Sequence, residues 1–573
     1  MGKGKQNIKI FGDKFIFKLK LYNWNIAALC LIAVVLWGFT LQKEGYHMDE
    51  LLSFELSNAE YNPWIVPTQP EGRLAKFVHE EIDGENAGQT FVNLCNVVRD
   101  VITNRGSSQL ATYQADIYDE PVWIGKQTFK EYITVDKTDD FNYLSVYFNV
   151  KDDNHPPLHF MLLHTISSIF KGQTAPFMGG LINLAAILGI CVLLMKIGNL
   201  LWQDEKYGIA AALLYGLSSA AVATQLLIRM YGMLTFFCIA ALYLHVKKLK
   251  SGDFKNNKLL ILVTILGFLT QYFFLFYILV LAAVMAVTLL RCKDYKALKR
   301  YVGSMIISAV IGLICFPFAI SDVFKSGRGV EALEKLGDGF SGYGERLISF
   351  GKILVERSFG GLPGILLILC ILLLSGFFYY KQSKTYKLQK QKSSWGMIII
   401  PFIGYFLLAA RLSPYLVDRY IMAIFPIATL LLVAVFAHLR APAICMGAAA
   451  AGFFILLLFT YDNTYLYKGY SEQENVAVAY ESYPCMCIYE GSGYYENLIE
   501  FTKYEKTLLL TAKELSERSK DEVLIDKTPV VVLIKGGIEE ETIEEILLLK
   551  YGYDKKTLLL TESVYGDRLY LFE

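Results

Sequence analysis

Two short clusters of acidic and basic residues follow apolar stretches of this chain: His47-Met48-Asp49-Glu50 and, about a hundred residues later, Asp152-Asp153-Asn154-His155-Pro156-Pro157-Leu158. A carboxylate can take a proton from a hydroxyl and an imidazole can donate to an anion, so each cluster holds the ingredients of acid–base chemistry. Their place beside membrane-crossing stretches points to a reaction on a lipid-borne substrate. The second cluster also has a local explanation. Asn154 can cap a helix, prolines are tolerated in a first turn, and Asp152 and Asp153 favour the positive end of the helix dipole. One proline and one acid would suffice for that, and the remainder implies a function.

The elements that must position these residues are mostly membrane helices. Of 573 residues, 54% are hydrophobic and 14% aromatic, and the mean hydropathy of +0.38 exceeds what a soluble domain of this length carries. The expected architecture is a polytopic α-helical membrane protein with about eleven transmembrane helices and a small C-terminal extracytoplasmic α/β domain. Lys3, Lys5, Lys9, Lys14, Lys18 and Lys20 against Asp13 make residues 1–20 a basic cytoplasmic tail. Residues 42–154 carry 20 acidic and 9 basic side chains and read as an external loop, so the first span, Trp24 to Leu41, runs outward. With no small-residue cleavage site, that span is a retained anchor.

Further spans are expected near Pro176 to Leu194, Tyr207 to Ile228, Met230 to Leu244, Tyr301 to Ile320, Leu362 to Tyr380, Trp395 to Ala410, Ile421 to Leu439 and Ala443 to Thr460. The run Leu259 to Leu290 has basic residues at both ends and must cross an even number of times, dividing at Gln271-Tyr272. Residues 155–170 are too short and too rich in His, Ser and Thr to cross, and form a juxtamembrane helix. Residues 321–360 are a mobile glycine-rich external loop in which Arg328, Arg346, Lys352 and Arg357 serve either as a lid or for solubility. The transmembrane domain thus covers 21–460. In residues 461–573, Lys506 to Leu510 and Pro529 to Ile534 read as buried strands, Glu539 to Lys550 as a helix, and Gly536-Gly537 as a turn. Ten cysteines, mostly inside apolar runs, form no disulfide framework, and Cys485 and Cys487 alternate along a strand as packing residues.

On this topology the external face gathers Asp49, Glu50, Asp152, Asp153, His155, Arg229, Tyr231, Asp418, Arg419 and Tyr420 at one membrane depth. The Asp-Glu pair after the first span, the Asp-x-His-Pro-Pro-Leu block, Arg229-Met230-Tyr231 and Arg419-Tyr420 resemble the glycosyltransferase family 39 group of the GT-C superfold. That group includes protein O-mannosyltransferases and, more distantly, the aminoarabinose transferase of lipid A. The resemblance covers residues 20–460. It implies an inverting membrane glycosyltransferase that moves a hexose or pentose from a polyprenyl-phosphate-linked donor to a hydroxyl acceptor on the outer face, in cell-envelope or protein glycosylation.

A lipid phosphate is already a good leaving group, so one base and several cations are enough and no second carboxylate need protonate it. By position in the resembling motifs, the catalytic residues are Asp49 as general base, Glu50 to orient it or meet the acceptor, and Asp153 to hold the acceptor or a metal. His155, Arg229, Tyr231 and Arg419 bind the donor phosphate, the arginines as planar forks. The clustered acids could hold Mg²⁺ or Mn²⁺, with Asp49 and Asp153 as ligands, or simply repel one another and raise a pKa. The implied partners are the donor, a lipid, polysaccharide or protein acceptor, and membrane lipids, with no nucleic acid. The implied site is a bacterial plasma membrane, with the N-terminus cytoplasmic and the C-terminal domain outside. A transporter or lipid flippase is the rival class; it would carry repeated halves and broken helices at the midplane, and neither is read here.

Overall fold

The computed structural model describes residues 24–62, 64–68, 73–104, 107–115, 120–324, 327–337, 341–382, 395–460, 465–519 and 529–573. The basic tail 1–20 and the lysines at 384, 387, 390 and 392 lie outside the described residues. Two compact units emerge, one from Met1–Leu41, Asp153–His159 and Gly179–Asp462, the other from Gln42–Asp152, Phe160–Met178 and Asn463–Glu573.

The first unit is a helical array in which a helix stands at each of the eleven expected span positions. Six described helices are long and apolar enough to cross a membrane: Pro176–Trp202, Tyr231–Ser251, Phe273–Arg291, Tyr295–Cys315, Gly361–Phe378 and Asp418–His438. A seventh candidate is the pair Glu205–Gly216 and Ser219–Leu226, bent by 58°. Trp24–Thr40, Lys258–Phe268, Gly396–Leu412 and Ala443–Phe459 are shorter apolar helices. On Gly361–Gln382, Leu362, Leu366, Leu369 and Leu373 form one stripe exposed by 51–76%. Such a stripe is stable only against hydrocarbon, and the chain is a polytopic α-helical membrane protein.

Local chemistry explains the breaks. The bend at Ser218 is built by a hydroxyl that accepts the Ala221 N–H as an N-cap. The division near Gln271-Tyr272 falls between Lys258–Phe268 and Phe273–Arg291. Helix Pro176–Trp202 meets Glu205–Gly216 so closely that a Cβ at Gly198 would stand 2.5 Å from Gly208 Cα. Helix Phe273–Arg291 packs on Gly396–Leu412, and Tyr231–Ser251 on the 3₁₀ turn Asp418–Ile424.

One expectation fails. The described residues of 321–360 are helical rather than a loop: Ala319–Phe324, Gly327–Gly337 and Tyr343–Phe359 are helices, the last bounded by left-handed Gly342 and Gly360. Gly327, Gly329, Gly337, Gly344 and Gly351 stand inside these helices and Gly342 and Gly360 cap one, with charged residues between them on amphipathic helices.

The second unit is built on a six-stranded sheet of β1 (Trp123–Gly125), β2 (Cys485–Tyr489), β3 (Lys506–Thr511), β4 (Val530–Ile534), β5 (Lys556–Leu560) and β6 (Arg568–Phe572), in the order β1-β3-β2-β4-β6-β5. β2 pairs parallel with β3 and β4, while β1, β6 and β5 add antiparallel edges. Met486, Ile488, Leu508, Leu510, Val530, Val532 and Ile534 face a core closed by Ile543, Leu547 and Tyr551. The helix expected at Glu539 to Lys550 is Glu540–Glu545 continued by a π turn, Ile546–Lys550. Gly537 is left-handed, as a turn requires.

Candidate active site

In the first unit the residues singled out by type come together. His155 Nδ1 lies 2.9 Å from Asp153 Oδ2, and both are largely buried. Burial opposes ionisation of Asp153, but the charges of His155 and Arg229 and the donated His155 hydrogen bond outweigh it and hold its carboxyl below the usual range. Arg229, 74 positions beyond His155 and 5% exposed, therefore belongs to the same electrostatic cluster. The helix-cap explanation of this block is not realised, since Asn154 Oδ1 is buried with no hydrogen-bond partner. Helix Leu158–Ile169 begins instead where the Leu158 N–H donates to Leu269 O at 3.0 Å, which docks the Pro156-Pro157 turn onto the 269–272 break.

That break contributes a residue sequence reading missed. Tyr272 donates to Asp322 at 2.6 Å, and burial, the bond to Asp322 and the charges of Asp322 and Asp153 push its phenol well up, keeping it a donor. Its only sequence signal was its position at the expected division. Next to it Phe273 stacks on Tyr420 at 5.3 Å, Tyr231 meets Tyr420 edge-on at 6.2 Å, and the Arg419 guanidinium sits 5.4 Å from the Tyr420 ring. Asp418, 5% exposed at its side chain, pairs with Arg357 at 2.8 Å. Arg346 is committed elsewhere, donating to Ala410 O at 2.8 Å and Ser413 O at 2.6 Å. Arg357 and Arg346 thus fasten helix Tyr343–Phe359 rather than form a free lid.

Asp49 and Glu50 belong to the second unit, at the start of helix Met48–Asn58. His47 caps it: Nδ1 accepts the Asp49 N–H at 3.0 Å, and the His47 N–H donates to Glu50 Oε2 at 2.6 Å, a reciprocal capping box. Asp49 Oδ2 lies 3.6 Å from His47 Nδ1. Glu50 is fully buried and pairs at 3.0 Å with Lys43, which burial holds below its ordinary value despite that carboxylate. Lys43 also donates to Tyr465 O at 2.8 Å.

Among the described residues no three His, Cys, Asp or Glu side chains converge as metal ligands. Asp153 spends its carboxylate on His155.

No protein-family model and no curated protein matches the chain. Among solved structures it is similar to two crystal structures of ArnT from Cupriavidus metallidurans. The apo form has a TM-score of 0.45, with 10% identity over 73% of this chain and 87% of ArnT. The form bound to undecaprenyl phosphate has a TM-score of 0.43, with 10% identity over 73% of this chain and 88% of ArnT.

Proposed function

We propose that this protein is an inverting membrane glycosyltransferase that takes a sugar from a polyprenyl-phosphate-linked donor and passes it to a hydroxyl acceptor. The observation that carries this reading is the cluster of Asp153, His155 and Arg229, to which Tyr272 is electrostatically coupled at a break between apolar helices. An imidazole held by a carboxylate, with a guanidinium in the same electrostatic cluster, can receive a phosphate. The ring cluster of Tyr231, Phe273 and Tyr420, in which Phe273 follows Tyr272 directly, offers aromatic surface suited to a lipid carrier.

In the reaction the acceptor oxygen attacks the anomeric carbon as the bond to the phosphate oxygen breaks, and the phosphate leaves with the bonding pair as the polyprenyl monophosphate. A single displacement inverts the centre. Asp49 takes the acceptor proton, and Glu50, locked in the capping box, orients the turn that carries it. His155 and Arg229 stabilise the charge on the departing phosphate, with Tyr231 and Arg419 supporting them. On this reading the reaction takes place at the outer face of a bacterial plasma membrane, with the C-terminal unit outside and the N-terminus in the cytoplasm.

The bent pair at Ser218 favours one other reading, a transporter or lipid flippase, because discontinuous helices are typical of that class. One experiment separates the two: transfer of radiolabelled sugar from polyprenyl-phosphate donors to membrane acceptors by purified wild type and Asp49→Asn. Glycosyl transfer predicts turnover by wild type and a loss on the order of 10² in the variant with donor binding kept. Absence of any donor consumption, together with movement of a solute or lipid across vesicles by wild type, would overturn it.

A further inference from the structure

The segment that carries Asp49 is stitched, residue by residue, to the far end of the chain within the second unit. Lys43 Nζ donates to Tyr465 O at 2.8 Å, the Glu44 N–H to Leu466 O at 2.9 Å, and the Gly469 N–H to Glu44 Oε2 at 2.8 Å. Tyr565 then closes the turn from above. Its hydroxyl donates to Tyr46 O at 2.6 Å and lies 3.4 Å from Tyr46 N, holding both backbone groups of the residue before His47.

Tyr565 is itself immobilised. Its ring packs on Tyr467 at 5.8 Å and Tyr470 at 5.9 Å and lies 5.3 Å beneath Lys535 Nζ. Lys535, just after β4, is tied by ion pairs to half-buried Glu496 and fully buried Asp567 at 2.8 Å each. Tyr470 donates at 2.8 Å to buried Glu500. A path of packed and hydrogen-bonded groups therefore runs from the C-terminal ends of the parallel strands through Tyr565 and Tyr46 to the capping box that sets Asp49.

From this path we infer that Tyr565 and Lys43 are positioning residues for Asp49, and that the C-terminal α/β region serves the transfer reaction as the mould of the 43–50 turn. The inference rests on the assignment of Asp49 as the base. A base misplaced by a fraction of an ångström loses rate rather than substrate affinity, so a positioning role has its own kinetic signature. Groups that face the turn and can titrate are His47, Glu50, Lys43, Glu44, Tyr46 and Tyr565.

The test uses the full-length chain in detergent and the variant Tyr565→Phe, which keeps the ring packing and removes only the hydroxyl. Two readouts are taken: amide hydrogen exchange of residues 43–58, and kinetics with radiolabelled hexosyl and pentosyl polyprenyl phosphates. Exchange at residues 46–50 should quicken by about tenfold while the thermal transition of the unit persists. The kcat should fall by about tenfold while donor KM stays within about threefold. Unchanged exchange overturns the positioning role whatever the kinetics show, and so does quickened exchange with unchanged kcat. If wild type transfers no sugar at all, the transferase reading falls instead, and the exchange data still decide whether Tyr565 holds the turn.

Discussion

Replacing Lys43 by Met removes a cation from beside a fully buried carboxylate: the Lys43 and Glu50 side chains are 1% and 0% exposed, with Nζ and Oε2 3.0 Å apart. At an effective dielectric of about 20 their attraction is on the order of 5 kcal/mol, and desolvation of the two ions offsets most of it. The pair adds little over an apolar pair of the same shape, but breaking it by removing one partner costs about 3 to 5 kcal/mol. Lys43→Met should thus destabilise the second unit by that amount, which for a unit of this size lowers the melting temperature by about 6 to 20 °C. The double variant Lys43→Met/Glu50→Gln leaves neither charge of this pair, and the Gln oxygen can still accept the His47 N–H now bound at 2.6 Å. Its cost should be less than about 2 kcal/mol, chiefly the lost bond to Tyr465 O. Thermal unfolding in detergent, followed by intrinsic tryptophan fluorescence, measures all three proteins. A single variant within about 1 kcal/mol of wild type, or a double variant no more stable than the single, would refute the reasoning.

Glu500 supplies a pH test: burial, with a smaller push from Asp567, raises its carboxyl to about 7 against the opposing bonds from its own backbone and Tyr470 and the charge of Lys535. The folded unit then keeps a proton that the unfolded chain releases near pH 4.5, so stability should fall as pH rises from about 4.5 to 7, by about 3 kcal/mol in all. Denaturant titrations at pH 5 and pH 8 should show this slope in wild type and lose it in Glu500→Gln; equal slopes would sink the assignment. Arg229→Lys keeps the charge beside Asp153 but not the planar fork, and should lower kcat by about 10 to 100-fold with a smaller change in donor binding, read by steady-state kinetics and lipid binding; wild-type kcat would remove Arg229 from the phosphate site.

Lengths and flanks of apolar runs foretold where helices stand, down to the division at Gln271-Tyr272, because a helix in hydrocarbon must satisfy its backbone within itself and its composition is therefore a local property. The same locality identified β2, β3 and β4, whose continuous apolar runs mark strands buried on both faces. It misled at residues 321–360, where many glycines suggested a loop and amphipathic spacing around them made helices.

Residue type alone also brought out Asp153, His155, Arg229, Tyr231 and Arg419, since charge beside a membrane span is costly and stands out. What type could not convey was pairing over distance. Tyr272 finds Asp322 across 50 positions, Lys43 finds Tyr465 across 422, and Tyr565 finds Tyr46 across 519. Trp123–Gly125, from the acidic stretch after the first span, likewise becomes the edge of a sheet whose other strands lie beyond residue 484. Such contacts have no periodicity and leave no composition signal; they exist only once packing has paid the entropy of closing the long loops between them. Asn154 makes the same point in a single side chain. Its sequence position marks a helix cap, yet tertiary docking of Leu158 onto Leu269 begins the helix without it.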